Sequence, residues 1–253
     1  METDVPPAQA GPTVASTPRL ALGAVLWLRS VPATMLDRLA AQAVLHRVPA
    51  GTQLFEQAET PAFALLLATG SVELLGVRGQ EETMVEFVPA PNLLLPAAVL
   101  NRQPYLLRAR VLNEAHLVMI QADGFRHAVA ADHSLCLAVL ACQAAQFRRQ
   151  VRLAKNVRQR SAEERVGCYL LDLAMAGQPV RLPLEKRLIA SQLGMTRETF
   201  SRTLATVARH GLRVEGDVVT ITNIDAATAR FHLDPLIDGS ETIHPLPIER
   251  ASP

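Results

Sequence analysis

Residues 189–202 read Ile189-Ala190-Ser191-Gln192-Leu193-Gly194-Met195-Thr196-Arg197-Glu198-Thr199-Phe200-Ser201-Arg202, and this stretch decides the fold of the C-terminal part. Leading into it, residues 185–193 carry Leu188, Ile189 and Leu193 on one helical face, with Ala190 small where a second helix crosses. Gly194 accepts the left-handed backbone of a tight turn. Thr196 then stands as the N-cap of a helix running to about His210, with Phe200, Leu204 and Val207 as its buried stripe and Gly211 at its end. Two helices joined through a glycine turn describe a helix-turn-helix. Arg197, Glu198, Ser201 and Arg202 fall on the outer face of the second helix, in the first two turns that enter a major groove. Arginine there binds guanine O6 and N7 bidentately, and glutamate accepts from cytosine N4. Thr196, Thr199 and Lys186 or Arg187 suit phosphate oxygens. Residues 214–221 read as two strands around Gly216-Asp217, a wing.

The charge pattern agrees. The 253-residue chain has a formal net charge of +1, but residues 148–215 hold 14 Lys+Arg against 6 Asp+Glu, and the remainder holds 11 basic and 18 acidic residues. A basic block in an otherwise acidic chain points to a polyanionic partner, here double-stranded DNA. Hydrophobic residues make up 49% of the chain, enough for two modest domains. No run of about 18 uncharged apolar residues occurs, so no membrane partner is expected. The opening residues, rich in Pro, Ala and Thr with Glu2 and Asp4, lack the basic start of a secretory signal. A disordered tail over residues 1–19 of a cytoplasmic protein is expected. Cys136, Cys142 and Cys168 fit a reducing compartment, and without a CxxC no metal site is expected.

Working upstream, residues 162–176 read as a helix stopped by Gly177-Gln178-Pro179. Residues 132–156 contain neither Pro nor Gly, and Leu137, Leu140, Ala144, Phe147, Val151 and Ala154 recur by three and four. That is a coiled-coil-like seam suited to a second copy of the chain, so a dimerisation helix is expected over 126–160. Before it the pattern shortens to strand lengths at 52–55, 63–68, 71–76, 84–88 and 108–120, separated by Pro49-Ala50-Gly51, Thr60-Pro61, Gly70 and Arg78-Gly79. A compact antiparallel roll over 20–125, entered through helical residues 20–43, follows. The expected fold class is α+β: an N-terminal antiparallel β-roll, a long dimerisation helix, a C-terminal winged helix-turn-helix over 161–233, and a tail over 234–253.

The stretch quoted first closely resembles the DNA-reading segment of the Crp/Fnr family of transcription regulators. Arg197, Glu198 and Arg202 match base-contacting positions of the cyclic-AMP receptor type, whereas Ser201 is the residue of the oxygen-regulator type. Val48-Pro49-Ala50-Gly51-Thr52 and Leu66, Ala68, Gly70, Ser71 and Val72 resemble the family's β-roll repeats. The resemblance covers roughly residues 25–223, specific at the reading helix and loose in the roll. It implies a sequence-specific, homodimeric regulator on a near-palindromic site, a roll like a cyclic-nucleotide-binding domain, and RNA polymerase as a partner.

The departures lie in the roll. Family members that bind cyclic nucleotides carry a Gly-Glu and, further on, an Arg-Ser or Arg-Thr that hold the ribose and cyclic phosphate. Here the matching region reads Pro89-Ala90-Pro91-Asn92-Leu93-Leu94-Leu95-Pro96, and the phosphate pair falls on Tyr105-Leu106. A phosphate buried there without a paired cation is very unfavourable, so cyclic AMP is not the expected signal unless Arg108 or Arg110 substitutes. The four-cysteine cluster of the oxygen-sensing type is missing, so no iron–sulfur cluster is expected either. What remains is an apolar effector pocket between roll and long helix, from Leu93, Leu94, Leu95, Leu100, Tyr105, Leu106, Leu107, Leu137 and Leu140. Such pockets resemble those of haem-based gas sensors, with His46, His116, His127 and His133 available as axial ligands. The leucines read equally as plain core and the histidines as ordinary surface or core residues. An effector-independent regulator, controlled by abundance or by oxidation of Cys136 and Cys142, is the alternative. A jelly-roll-like enzyme is the remote one, with only His46 and His116 in the roll.

Overall fold

The computed structural model describes residues 16–175 and 180–238; most of the two expected tails and the Gly177-Gln178-Pro179 stop lie outside the described residues. α1 (Pro18–Ala24) begins inside the expected tail, because the Thr17 hydroxyl accepts from the Leu20 N–H at 3.3 Å and caps it. A single 3-10 turn (Leu26–Leu28) and α2 (Ala33–Ala41) follow. Ala43, expected on the entry helix, already belongs to the first strand.

The roll comprises β1 (Ala43–Val48), β2 (Gln53–Phe55), β3 (Phe63–Arg78), β4 (Glu81–Pro89), β5 (Asn92–Leu94), the short α3 (Pro96–Asn101) and β6 (Arg108–Gln121). Every pairing is antiparallel, in the order β1-β6-β3-β4, with β2 added to β6 and β5 to β3. The two segments expected on either side of Gly70 are one strand. Gly70 has φ +88, and a Cβ there would lie 2.6 Å from the Glu114 carbonyl, so β3 shifts register without ending. Alternation across β3 and β5 separates two cores. Leu65 pairs with Leu94 and packs with Leu67, Val72 and Leu117 on one face; Leu66 pairs with Leu93 and packs with Trp27, Phe125 and Leu135 on the other. Each fully buried leucine contributes about 1.5–3 kcal/mol relative to exposure.

The expected helix over 126–160 is in fact two, α4 (Ala122–Ala131) and α5 (His133–Gln159), meeting at 113°. Asp132 makes the break: its backbone is extended, and its carboxylate accepts from the Leu135 N–H at 2.8 Å. One face of α5 packs on the roll through Leu135, Ala138, Val139 and Cys142, and the Gln146 amide donates to Asn92 Oδ1 at 2.9 Å and the Leu93 carbonyl at 2.7 Å.

The C-terminal unit runs α6 (Ala162–Met175), β7 (Val180–Arg181), α7 (Lys186–Gln192), α8 (Arg197–Ala208), β8 (Leu212–Glu215), β9 (Val218–Ile221) and α9 (Ile224–Arg230). Its core gathers Val166, Leu170, Ile189, Phe200, Val207, Leu212 and Phe231. Sequence patterning does not show β7, which extends the wing to a β7-β9-β8 sheet, or α9. The first residues of the expected C-terminal tail are docked, since Arg160 grips the Asp238 carboxylate at 2.6 and 2.7 Å. Among the described residues no single helix is long and apolar enough to cross a membrane.

Candidate nucleic-acid interface

The turn between α7 and α8 is as tight as the sequence implies. Gly194 has φ +65, and a Cβ there would meet Val157 at 2.8 Å, so both backbone and space require glycine. The Thr196 hydroxyl accepts from the Thr199 N–H at 3.2 Å and starts α8; the two hydroxyls lie 3.1 Å apart. With Phe200, Thr203 and Val207 turned inward, Arg197, Glu198, Ser201 and Arg202 are left exposed on the first two turns. Neither Arg197 nor Arg202 makes a salt bridge among the described residues. The Glu198 carboxyl is held below its usual range by its own backbone N–H, the Thr196 hydroxyl and the two flanking arginines, so it is an ionised acceptor. This surface thus offers two uncommitted guanidinium forks and one carboxylate, the donor and acceptor set that distinguishes base edges.

The candidate phosphate ligands differ among themselves. Thr196 and Thr199 sit at the start of α8, and half-buried Lys186 stands near Asp217 of the wing. Arg187 is turned toward the roll, 3.7 Å from Glu73, so contact with a phosphate has to compete with a carboxylate of its own chain. Leu188 likewise leaves the face it was expected to share with Ile189 and Leu193 and packs on Leu75 and Met84, while the Ser191 hydroxyl donates to the Met84 carbonyl at 2.8 Å. The first helix of the motif is therefore docked on β4, a contact between residues about a hundred apart that local patterning cannot show.

On α5 the seam residues Leu140, Ala144, Phe147, Val151 and Ala154 are exposed and Leu137 is half-buried. They form an apolar stripe on the face turned away from the roll, and Phe147 is 70% exposed.

The expected effector pocket does not form. Leu93 and Leu94 are adjacent strand residues on opposite faces, in different cores. Leu106 is 84% exposed and Leu140 faces away from the roll, while Tyr105 stacks on Phe55 at 3.7 Å. Leu95 caps α3 from a left-handed backbone, and Leu100 and Leu107 pack at the margins of different cores. Between roll and α5, Leu93, Leu94 and Leu95 border a cavity of only about 10 Å³, barely room for one water. None of the four histidines lines it: His46, His127 and His133 are exposed, and His116 Nδ1 lies 3.0 Å from the Thr69 hydroxyl. These residues do not fit a haem. His46 and His116 sit one register step apart on β1 and β6 and point to opposite faces, so they do not converge as an enzyme's metal ligands would.

A cyclic phosphate fares no better. Arg108 binds Glu56 at 2.6 Å and pairs with Glu82, and Arg110 binds Glu73 at 2.7 Å and Glu82 at 2.9 Å. Both arginines that were candidates to replace the missing phosphate ligand are neutralised within the roll.

Residues 164–226 match the model of the Crp-like helix-turn-helix domain. The nitrogen fixation regulation protein FixK of Azorhizobium caulinodans is 26% identical over 188 residues, covering 71% of this chain and 74% of that protein. Among solved structures, FixK2 of Bradyrhizobium japonicum aligns over 76% of this chain and 98% of its own at 17% identity with a TM-score of 0.61. The c-di-GMP responsive global regulator CLP of Xanthomonas campestris aligns over 76% and 100% at 18% identity with a TM-score of 0.60. These structural likenesses establish the shared fold of roll, long helix and winged helix-turn-helix.

Proposed function

We propose that the chain is a DNA-binding transcription regulator of the Crp/Fnr type that acts in the cytoplasm as a homodimer on a near-palindromic site, not as an enzyme. The observation that carries this is the outward set of Arg197, Glu198, Ser201 and Arg202 on the first turns of α8, which supplies base-edge contacts in the major groove. Thr196, Thr199 and Lys186 hold backbone phosphates, and Arg187 joins them once it leaves Glu73. The apolar stripe from Leu137 to Ala154 pairs with the same stripe of a second copy. Two reading helices then meet successive major grooves about 34 Å apart. RNA polymerase is the partner through which such a bound dimer changes transcription. The control signal is not a cyclic nucleotide, because Arg108 and Arg110 are already satisfied by glutamates.

Sedimentation of the wild type and of Phe147→Glu tests the dimer. The wild type is expected to sediment as a dimer and the variant as a folded monomer that still unfolds cooperatively, with a midpoint lowered by loss of the partner. Affinity of the variant for a duplex carrying two half-sites should fall about a hundredfold, as the avidity of two linked heads is lost. A wild-type monomer bound tightly to DNA, or a variant that remains dimeric, would contradict the proposal.

A further inference from the structure

Where α5 and α6 diverge beneath the docked α7, they leave a cleft of about 610 Å³ that the DNA-binding surface does not use. One wall is apolar: Phe87 and Pro89 of β4, Leu153 of α5, and Leu184 and Leu193 flanking α7. The other carries Arg165 and Tyr169, one turn apart on α6 and so on the same face. Arg165 Nε and the Tyr169 hydroxyl are both shielded from solvent and without a hydrogen-bond partner. Arg165 makes no ion pair among the described residues; its NH1 group reaches the Val157 carbonyl at 3.4 Å. Burial pushes the Arg165 pKa down, and burial reinforced by Asp172 pushes Tyr169 up to about 12, leaving its hydroxyl a donor.

An uncompensated, partly buried cation beside an orphaned donor is unfavourable unless something anionic completes it. The remaining cations of the cleft are engaged: Arg149 pairs with Glu86 at 2.7 Å, and Arg152 donates to the Asp238 carbonyl at 3.1 Å. The far end holds Asp172 and Asp238, the latter gripped by Arg160, so a second negative charge on a ligand meets acids there. We propose that this cleft is a binding site for a small monoanion with an apolar body, its carboxylate held by Arg165 and Tyr169 and its body laid against Phe87, Leu153 and Leu193. A dianion such as a phosphate is disfavoured by Asp172. The lining comes from β4, from α5 and α6 and from the end of α7, so an occupant favours one placement of the C-terminal unit over others.

The proposal does not depend on the assignment of DNA contacts, because binding is measured on the full chain without DNA. Isothermal titration with naphthoate is compared with naphthylmethanol, which has the same rings without the charge, and with inorganic phosphate. Naphthoate is expected to bind, the alcohol to bind at least tenfold more weakly, and phosphate not to bind detectably. Arg165→Met should weaken naphthoate at least tenfold and Tyr169→Phe severalfold, while Arg165→Lys retains most of the affinity. Urea midpoints report whether each variant folds; if Arg165→Met does not, the three probes on the wild type and Arg165→Lys decide. Failure of naphthoate to bind at millimolar concentration, equal binding of the alcohol or of phosphate, or unchanged binding by folded Arg165→Met would each overturn the site.

Discussion

Two pairs of arginines, one in the roll and one in the C-terminal unit, meet opposite fates. In the roll, Arg108 and Arg110 of β6 are surrounded by Glu56, Glu73 and Glu82, and Glu73 is only 3% exposed on its side chain. The hydrogen bonds that Arg108 donates to Glu56 and Arg110 to Glu73 raise both guanidinium pKa values further. In α8, Arg197 and Arg202 are exposed and make no salt bridge among the described residues. The same side chain is structural where its own fold supplies the anion, and available for recognition where it does not. Arg187 lies between these cases, on the first helix of the motif yet turned to the roll's Glu73.

The comparison breaks most visibly at Glu73. Glu73→Ala removes the buried partner of Arg110 and leaves it only the more exposed Glu82, so stability is expected to fall by about 1–3 kcal/mol, read from urea midpoints. The same variant releases Arg187, so the salt dependence of DNA binding should steepen by about one unit. A stability change under about 0.5 kcal/mol would show that the roll arginines are not held as argued.

The second effect is its converse. Arg202→Ala should leave the urea midpoint within about 0.5 kcal/mol of wild type while costing about 1–3 kcal/mol of affinity for the preferred duplex, measured by fluorescence anisotropy.

Acid titration sharpens the contrast further. Hydrogen bonds from Arg108 hold the Glu56 carboxyl below its usual range. A carboxyl with a lowered folded pKa stabilises the fold above its unfolded value of about 4.3, and that contribution disappears as pH falls through the lowered value. Glu56→Gln should therefore flatten the acid limb of the stability curve; an unchanged limb would mean that Arg108 does not hold Glu56 in solution.

The smallest effect concerns thiols. Burial pushes Cys142 and Cys168 up to about 11, whereas Cys136 is exposed. At about pH 8 the native protein should lose one thiol to iodoacetamide quickly and the other two only on unfolding. Rapid loss of Cys142 would restore it as an oxidation-sensitive residue.

How legible each part was follows from how local its causes are. Gly194, the Thr196 cap and the Phe200–Val207 stripe lie within a few turns of one another, so the outward placement of Arg197, Glu198, Ser201 and Arg202 on α8 could be read from sequence. The leucine pocket could not. Whether Leu93 and Leu94 share a cavity depends on pairing with Leu66 and Leu65 across the sheet, and that pairing sends them to opposite faces. Leu188 lies in the best-read motif, yet its partners Leu75 and Met84 come from a distant strand. Strands β5 and β7 are three and two residues long, too short for any periodicity to register. The Arg165–Tyr169 pair carried a local signal, i and i+4 on one helix, but only the cleft gives it meaning.

The central claim is that α8 reads bases through Arg197, Glu198 and Arg202. Selection of bound duplexes from random DNA, run in parallel with wild type and Arg202→Ala, tests it most directly. Wild type should enrich a two-fold symmetric site with a fixed guanine in each half, and Arg202→Ala should lose preference at that guanine alone. Enrichment of no sequence by wild type, or a variant weakened equally on every sequence, would show that these side chains touch only the phosphate backbone.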